Sequence, residues 1–407
     1  MHWLSDNYRG EFLATPQLVR FDYAQGKDGF EPTLLIKGDN LILKYLIKGT
    51  RMQLVLARVN GDRLLYGLKV FDDPDKPGNL WSVLEREQER DALFALARGE
   101  RCQAFLFNEL AVNMAWAELA VDFSGTKLGS LAAYAALGDA DHASLQAAAD
   151  STLDDIHFNG ATDPDRLIVD LPGITDWHRV RTTLITNLAG ASDLNIFDLN
   201  EGRQQEKVVA WLTDNLFPTV SLDQPQIMMK GLQKELTDAL LSYQYGTFLF
   251  ESKALAILGR PTLPDRPKLS RNIIGHIEKA AKQLKGAIRK IKAGTEVTDI
   301  SGKVWKIERG PPIHAVILVP DLHLLEGDFG FELMCDFTKV TGGYLHIVDP
   351  SELLRIVQAA AMIAKRSKTV TPMMAFDTRL IARFEQALES RRLNLEIITR
   401  FENEPPC

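Results

Sequence analysis

The chain has 407 residues, enough for two or three domains with full cores. Its hydrophobic fraction of 45% and charged fraction of 25% are ordinary for a soluble globular protein, and no apolar run reaches bilayer-spanning length. A net charge of −7 does not announce a nucleic-acid binder, and three distant cysteines (Cys102, Cys335 and Cys407) argue against a disulfide framework or a cysteine zinc site and fit a reducing cytoplasm.

The first segment, MHWLSDNYRGEF, has no basic stretch leading into an apolar one, so no secretory signal is expected. Residues 1–125 read as a separate α+β domain. Short strands are predicted at Thr33–Ile36, Leu41–Ile47, Met52–Val59 and Leu64–Phe71, with Asn60-Gly61 as a hairpin turn. A loop over Asp72–Gly78 leads to a helix over Trp81–Arg98, stopped by Gly99. Strands near Gln103–Phe107 and Met114–Val121 follow. This part carries no phosphate loop and no nucleophile motif; a sensing, targeting or oligomerisation role is the expectation, with a protein partner or a second copy as its ligand.

Residues 126–200 read as a connector with an Ala-rich helix over Ala140–Ile156, capped by Asp139 or Asp141, and a second helix from Asp176 to about Leu188. A helix over Arg203–Leu216 then opens a new unit, its apolar face made by Val208, Val209, Trp211, Leu212 and Leu216. Strands follow at Thr219–Leu222 and Gln226–Met229. The stretch from Glu235 to Ala256 is a β-hairpin. Leu236–Tyr243 forms one strand, Gln244-Tyr245-Gly246 the turn with Gly246 at positive φ, and Thr247–Phe250 the return. Asp238, Glu251 and Lys253 interrupt this apolar hairpin. Residues two apart on a strand share a face, so Glu251 and Lys253 project together, and the fold-back lets Asp238 approach them. Charges do not sit on such a strand without a partner or a metal.

Farther on, Gly259–Ser270 reads as a loop and Asn272–Lys292 as a long helix ended by Gly294. A hairpin near Thr298–Ile307, strands at His314–Val319 and Tyr344–Val348, and a helix over Ser351–Lys365 complete the unit. His314 and His346 read as core or strand-end residues, and the loop acids Asp321, Glu326 and Asp328 with His323 lack metal-ligand spacing. Residues 366–407 add a helix over Asp377–Arg391 and a strand over Leu395–Arg400.

Asp, twelve residues, then Glu-Ser-Lys-Ala at the end of an apolar strand resembles the motif of the PD-(D/E)XK nuclease superfamily, in its restriction-endonuclease-like, RecB-like and nuclease-related versions. Glu251-Ser252-Lys253 is the one acidic-x-Lys triplet of the chain. The resemblance implies an α/β fold with a restriction-endonuclease-like core, a central mixed sheet flanked by helices, over residues 201–365. It also implies a Mg²⁺ cofactor, with Mn²⁺ as a substitute, held by Asp238, Glu251 and the carbonyl of Ser252. Lys253 then orients or activates the attacking water, Glu206 is the additional acid on the preceding helix, and Gln283 is the glutamine of the RecB-like subgroup. Position 287 is alanine where that subgroup has a tyrosine, and Thr237 stands where the family name has its proline.

Charge distribution fits this reading. From Lys253 to Arg309 there are 14 Lys/Arg and 5 Asp/Glu, so the remaining chain is strongly acidic. Lys279, Lys282, Lys285, Arg289 and Lys290 are candidates for backbone contacts, which position nucleic acid without reading sequence. The expected function is metal-dependent hydrolysis of phosphodiester bonds, with DNA preferred to RNA by resemblance and a role in restriction or anti-phage defence. The alternative is a nucleic-acid-binding or scaffold protein that keeps the fold without the chemistry.

Overall fold

The computed structural model of the chain describes residues 2, 4–26, 29–73, 75–119, 121–133, 135–138, 140–160, 164–187, 190–325 and 327–393. It is a mixed α/β protein in two compact units. Unit 1 comprises residues 1–182, 195–198 and 257–265, and unit 2 comprises 183–194, 199–256 and 266–407. No helix among the described residues is long and apolar enough to cross a membrane.

In chain order, unit 1 contains α1 (Asp6–Ala14), β1 (Leu18–Gln25), β2 (Phe30–Lys37), α2 (Asn40–Ile47), β3 (Met52–Val59), β4 (Arg63–Val70), β5 (Gly78–Val83), α3 (Glu87–Ala97), β6 (Cys102–Phe107), β7 (Asn113–Leu119), α4 (Leu128–Ala133), α5 (His142–Asn159), β8 (Arg166–Leu171) and β9 (His178–Arg179). One mixed sheet has the order β1-β2-β6-β7-β9 and an antiparallel sheet the order β5-β4-β3-β8. Leu145, Ala149, Leu153 and Ile156 form a stripe along α5 that packs on Val55, Ala57 and Val59 of β3. Residues 126–200, read as a connector, thus supply α5 and β8 to this unit.

Three sequence expectations fail here. Leu41–Ile47 is helical, because Asp39 accepts from the Ile42 N–H at 2.8 Å and starts a turn whose apolar residues are buried nearly all round. Trp81 lies on β5, and the helix begins only at Glu87, where Glu89 accepts from the Arg86 N–H at 3.0 Å. Asp176–Leu188 contains two strands rather than a helix, β9 and a second one over Thr182–Thr186.

Arg20, fully buried, joins the elements of unit 1. It donates to Glu11 Oε1 at 2.9 Å, Glu85 Oε2 at 2.6 Å, Glu89 Oε1 at 2.9 Å and the Val83 carbonyl at 2.7 Å. Tyr66 adds a donor to Glu89 Oε1 at 2.9 Å.

The second unit runs β10 (Thr182–Thr186), β11 (Gly190–Leu194), α6 (Glu201–Asp214), β12 (Val220–Asp223), β13 (Gln226–Met229), β14 (Leu232–Glu235), β15 (Ala239–Tyr243), β16 (Gly246–Ser252), α7 (Arg266–Lys292), β17 (Val297–Thr298), β18 (Val304–Trp305), β19 (Ile313–Leu318), α8 (Phe329–Thr341), β20 (Tyr344–Val348), α9 (Pro350–Arg366) and α10 (Pro372–Ser390). The main sheet has the order β12-β15-β16-β19-β20, antiparallel up to β16 and parallel from β16 to β20. A smaller sheet has the order β14-β13-β17-β18.

Helix α7 starts six residues before the expected Asn272, with Pro267 in its first turn, where a missing N–H costs nothing. Arg309 closes its other end, donating to the Ile291 carbonyl at 2.8 Å and the Thr295 carbonyl at 2.9 Å. Gly246 does not take positive φ. Its glycine is required by a close approach, since an added Cβ would stand 3.0 Å from the Pro312 carbonyl oxygen. The strand expected at Leu395–Arg400 and the residues Asp139, Glu326 and Cys407 lie outside the described residues.

A polar chain runs through the core of unit 2. Tyr243 donates to Asp377 Oδ2, His314 Nε2 meets Asp377 Oδ1 at 2.8 Å, and His314 Nδ1 meets His346 Nε2 at 3.0 Å. Among the described residues His346 Nδ1 has no partner. Burial first, then the neighbouring His314 and Arg383, holds the His346 pKa well below the ordinary imidazole value. The folded state therefore refuses a proton that the unfolded state accepts below about pH 6.5. The His346 contribution to stability is present above that pH and is lost as the pH falls, at up to about 1.4 kcal/mol per pH unit. Urea unfolding at about pH 7.5 and about pH 5.5 should show it, and an unchanged midpoint would contradict the assignment.

Candidate active site

The site is built at the end of β16, the central strand of the main sheet, which is buried along its whole length. Apolar pairing with β15 fixes the hairpin register, Ala239 opposite Phe250 and Leu241 opposite Phe248. That register places Asp238 just before β15, beside the last residues of β16. The Asp238 N–H donates to the Phe250 carbonyl at 3.1 Å, and Asp238 Oδ2 accepts from the Ser252 N–H at 2.6 Å. Glu251 is 2% exposed, and Lys253 Nζ stands 2.7 Å from its Oε2. The Lys253 N–H donates to the Leu318 carbonyl at 2.8 Å, tying the strand end to β19. Asp238, Glu251 and Lys253 therefore meet at one strand end.

Three further carboxylates face the same place. Glu206 on α6 is pushed above the usual carboxylate range by burial, then by Asp238 and Asp223, against the pull of Lys253 and Arg203. Asp223, the last residue of β12, is raised by burial and by Asp238. Glu235, the last residue of β14, is pushed up to about 7 by burial, then by Asp238, Glu251 and Glu206. Glu251 itself is raised by burial and Asp238 and lowered by Lys253. Sequence reasoning singles out Glu206 but not Asp223 or Glu235. Their signal is an acid closing each short strand on either side of Gln224–Pro225 and Leu236–Thr237.

Among the described residues no three His, Cys, Asp or Glu side chains form a ready cage for a metal. Mg²⁺ needs only one or two carboxylates and keeps several waters, so it requires no such cage. The donor chemistry fits a divalent cation: hard oxygen ligands stand together, and burial first, then mutual repulsion, raises their proton affinity, which a bound dication would relieve. Ser252 Oγ, buried and without a hydrogen-bond partner among the described residues, is one more oxygen at this strand end.

Beside Lys253 lies a cleft of about 390 Å³, lined by Ser252, Gly202 at the start of α6, and His276, Lys279 and Gln283 of α7. Helical spacing puts Lys279, Gln283 and Lys290 on one stripe of α7 and Lys282, Lys285 and Arg289 on its flank. Lys279 and Gln283 therefore share the cleft with Lys253. Lys285 lies 5.7 Å over the Phe337 ring of α8, and Lys282 and Arg289 are exposed outside the lining. Compared with protein-family models, with curated proteins and with solved structures, the chain matches none.

Proposed function

We propose that this chain is a nuclease that hydrolyses phosphodiester bonds, DNA by preference, with a divalent cation, and that unit 2 carries the restriction-endonuclease-like core. The observation that carries this reading is the meeting of Asp238, Glu251 and Lys253 at one strand end, with Glu206 facing them from the preceding helix. It is supported by the element order of unit 2: α6, the antiparallel strands β12, β15 and β16, then α7 and the parallel strand β19, the order that the resemblance implies.

Asp238, Glu251 and the Ser252 carbonyl are the groups that would hold the cation. When bound, Mg²⁺ supplies an acidified water and positive charge for the pentacoordinate transition state. Lys253 is a cation on a flexible stem, held by Glu251 within reach of the attacked phosphate; it orients the water and offsets developing negative charge. Gln283 and Lys279 hold the substrate backbone in the cleft.

Two measurements test this. Mg²⁺ or Mn²⁺ should raise the melting temperature of the wild type, by mass action on the folded state, but not that of Glu251→Gln. Single- and double-stranded DNA and RNA should be cut by the wild type with metal and left intact by Glu251→Gln. A wild type that neither responds to metal nor cuts any of the four substrates would remove the enzymatic reading and leave a binding protein.

A further inference from the structure

The smaller sheet of unit 2 is assembled from two insertions. One is the β13–β14 hairpin between β12 and β15; the other is the β17–β18 pair between α7 and β19. Lys230 and Gly231 make the two-residue turn of the hairpin, both with positive φ, at 52° and 80°. Register sorts its side chains. Ile227 pairs with Lys234 and Val297, and Met229 with Leu232, so these five share a face. Ile227 and Val297 are buried, but farther out on the same face Leu232 is 73% exposed and Met229 is 37% exposed. Lys303 lies 4.0 Å over the Trp305 ring on the opposite edge strand.

Val297, buried on this face, stands five residues beyond the last residue of α7. Lys290 on the α7 stripe feels the like charge of Lys234 on this face, which after burial helps depress the Lys290 ammonium. The run from the cleft is therefore Lys279, Gln283, Lys290, Lys234, then Met229 and Leu232. Gly286, between Gln283 and Lys290, has open space where a Cβ would stand, so the run is unobstructed there. Lys279 to Lys290 spans roughly 16 Å of helix, about five nucleotides at the rise of about 3.4 Å per stacked base. Helix α7 carries nine Lys and Arg and a single Glu. Cations for phosphates followed by exposed apolar side chains match a strand whose bases are uncovered, since a duplex hides its base faces.

We propose that the β14 edge of the small sheet is a platform for a single-stranded nucleic acid leaving the cleft, with Lys234 and Lys290 on its phosphates and Met229 and Leu232 against its bases. The proposal rests on the nuclease reading for the direction of the strand. The test uses the full chain with Glu251→Gln, without metal, so that binding is read apart from cleavage. The probe is a labelled 30-nucleotide single strand, titrated at several salt concentrations. Adding Lys234→Glu with Leu232→Ser should weaken binding about tenfold and flatten the log–log salt slope by about 0.7 for each phosphate the protein no longer neutralises. Lys230→Glu, at the exposed turn tip, is a second variant that leaves the sheet face unaltered and should weaken binding less. Unchanged affinity and slope in the double variant, with the parent still binding, would overturn the platform and leave the nuclease reading standing. A parent that binds no nucleic acid would overturn both. Sedimentation that shows the parent self-associating and the double variant monomeric, with equal binding, would assign the face to a second copy instead.

Discussion

Lys253→Met is expected to slow phosphodiester cleavage by about 10²–10³-fold, the usual loss when one preorganised charge-stabilising group is removed from a transition state. The size follows from position. Lys253 is the cation that Glu251 holds at 2.7 Å, in a place where Glu206, Asp223, Glu235, Asp238 and Glu251 otherwise gather negative charge. Methionine keeps the stem and the packing but not the charge. Substrate affinity should change less than turnover, because Lys279 and Gln283 remain in the cleft. Lys253→Arg should not rescue fully, since a planar fork replaces a point charge. The check is single-turnover cleavage of saturating substrate, wild type against both variants. A Lys253→Met enzyme cutting within about threefold of wild type would place the chemistry elsewhere. The same variant should bind Mg²⁺ at least as tightly as wild type, because a competing cation has gone.

Arg20→Met is expected to destabilise unit 1 by about 3–5 kcal/mol or more, enough to unfold it at 37 °C, because it leaves buried carboxylates without their cation. Glu89 is fully buried and Glu85 nearly so, and both accept from this guanidinium together with Glu11. Arg86 bonds Glu11 Oε2 at 3.1 Å and stands 3.9 Å from Glu89 Oε1, a longer pairing than the one Arg20 makes. Relief should come from removing charge on the other side. Arg20→Met with Glu89→Gln should recover part of the loss, a coupling of the kind double-mutant cycles detect. Chemical unfolding of the two single variants and the double variant measures it. A loss under about 1 kcal/mol for Arg20→Met would mean that the carboxylates are protonated or hydrated in place.

The sequence marks the candidate residues more plainly than the fold around them, for identifiable reasons. Charges inside an apolar hairpin are conspicuous, so Asp238, Glu251 and Lys253 stand out from the chain itself. Asp223 and Glu235 join them only because β12 pairs with β15 and β14 returns toward it, pairings that no local pattern announces. The β13–β14 hairpin is half legible: Gln226–Met229 reads as a strand, but Lys230-Gly231 is a weaker turn signal than Asn-Gly. Leu41–Ile47 resembles a strand because a short apolar run has no period to read when both sides are buried. Over 176–188, Trp177 and Val180 face inward at a spacing that suits a helix. Beyond them Leu184 is buried and Ile185 is 72% exposed, the alternation of a strand.

The polar chain in the core of unit 2 has a consequence for which fold the sequence selects. Strands β19 and β20 are lined with Ile, Val, Leu and Ala, residues nearly interchangeable in a parallel sheet covered on both faces. Sliding either strand by two positions would keep apolar groups buried and cost little in packing. It would, however, carry His314 away from Asp377 and His346, and strand several polar atoms in a dry interior. The four side chains thus act as a key cut for a single alignment. They separate the native arrangement from its near-degenerate neighbours by what those neighbours lose, and so keep the strand that carries Glu251 opposite Ile317.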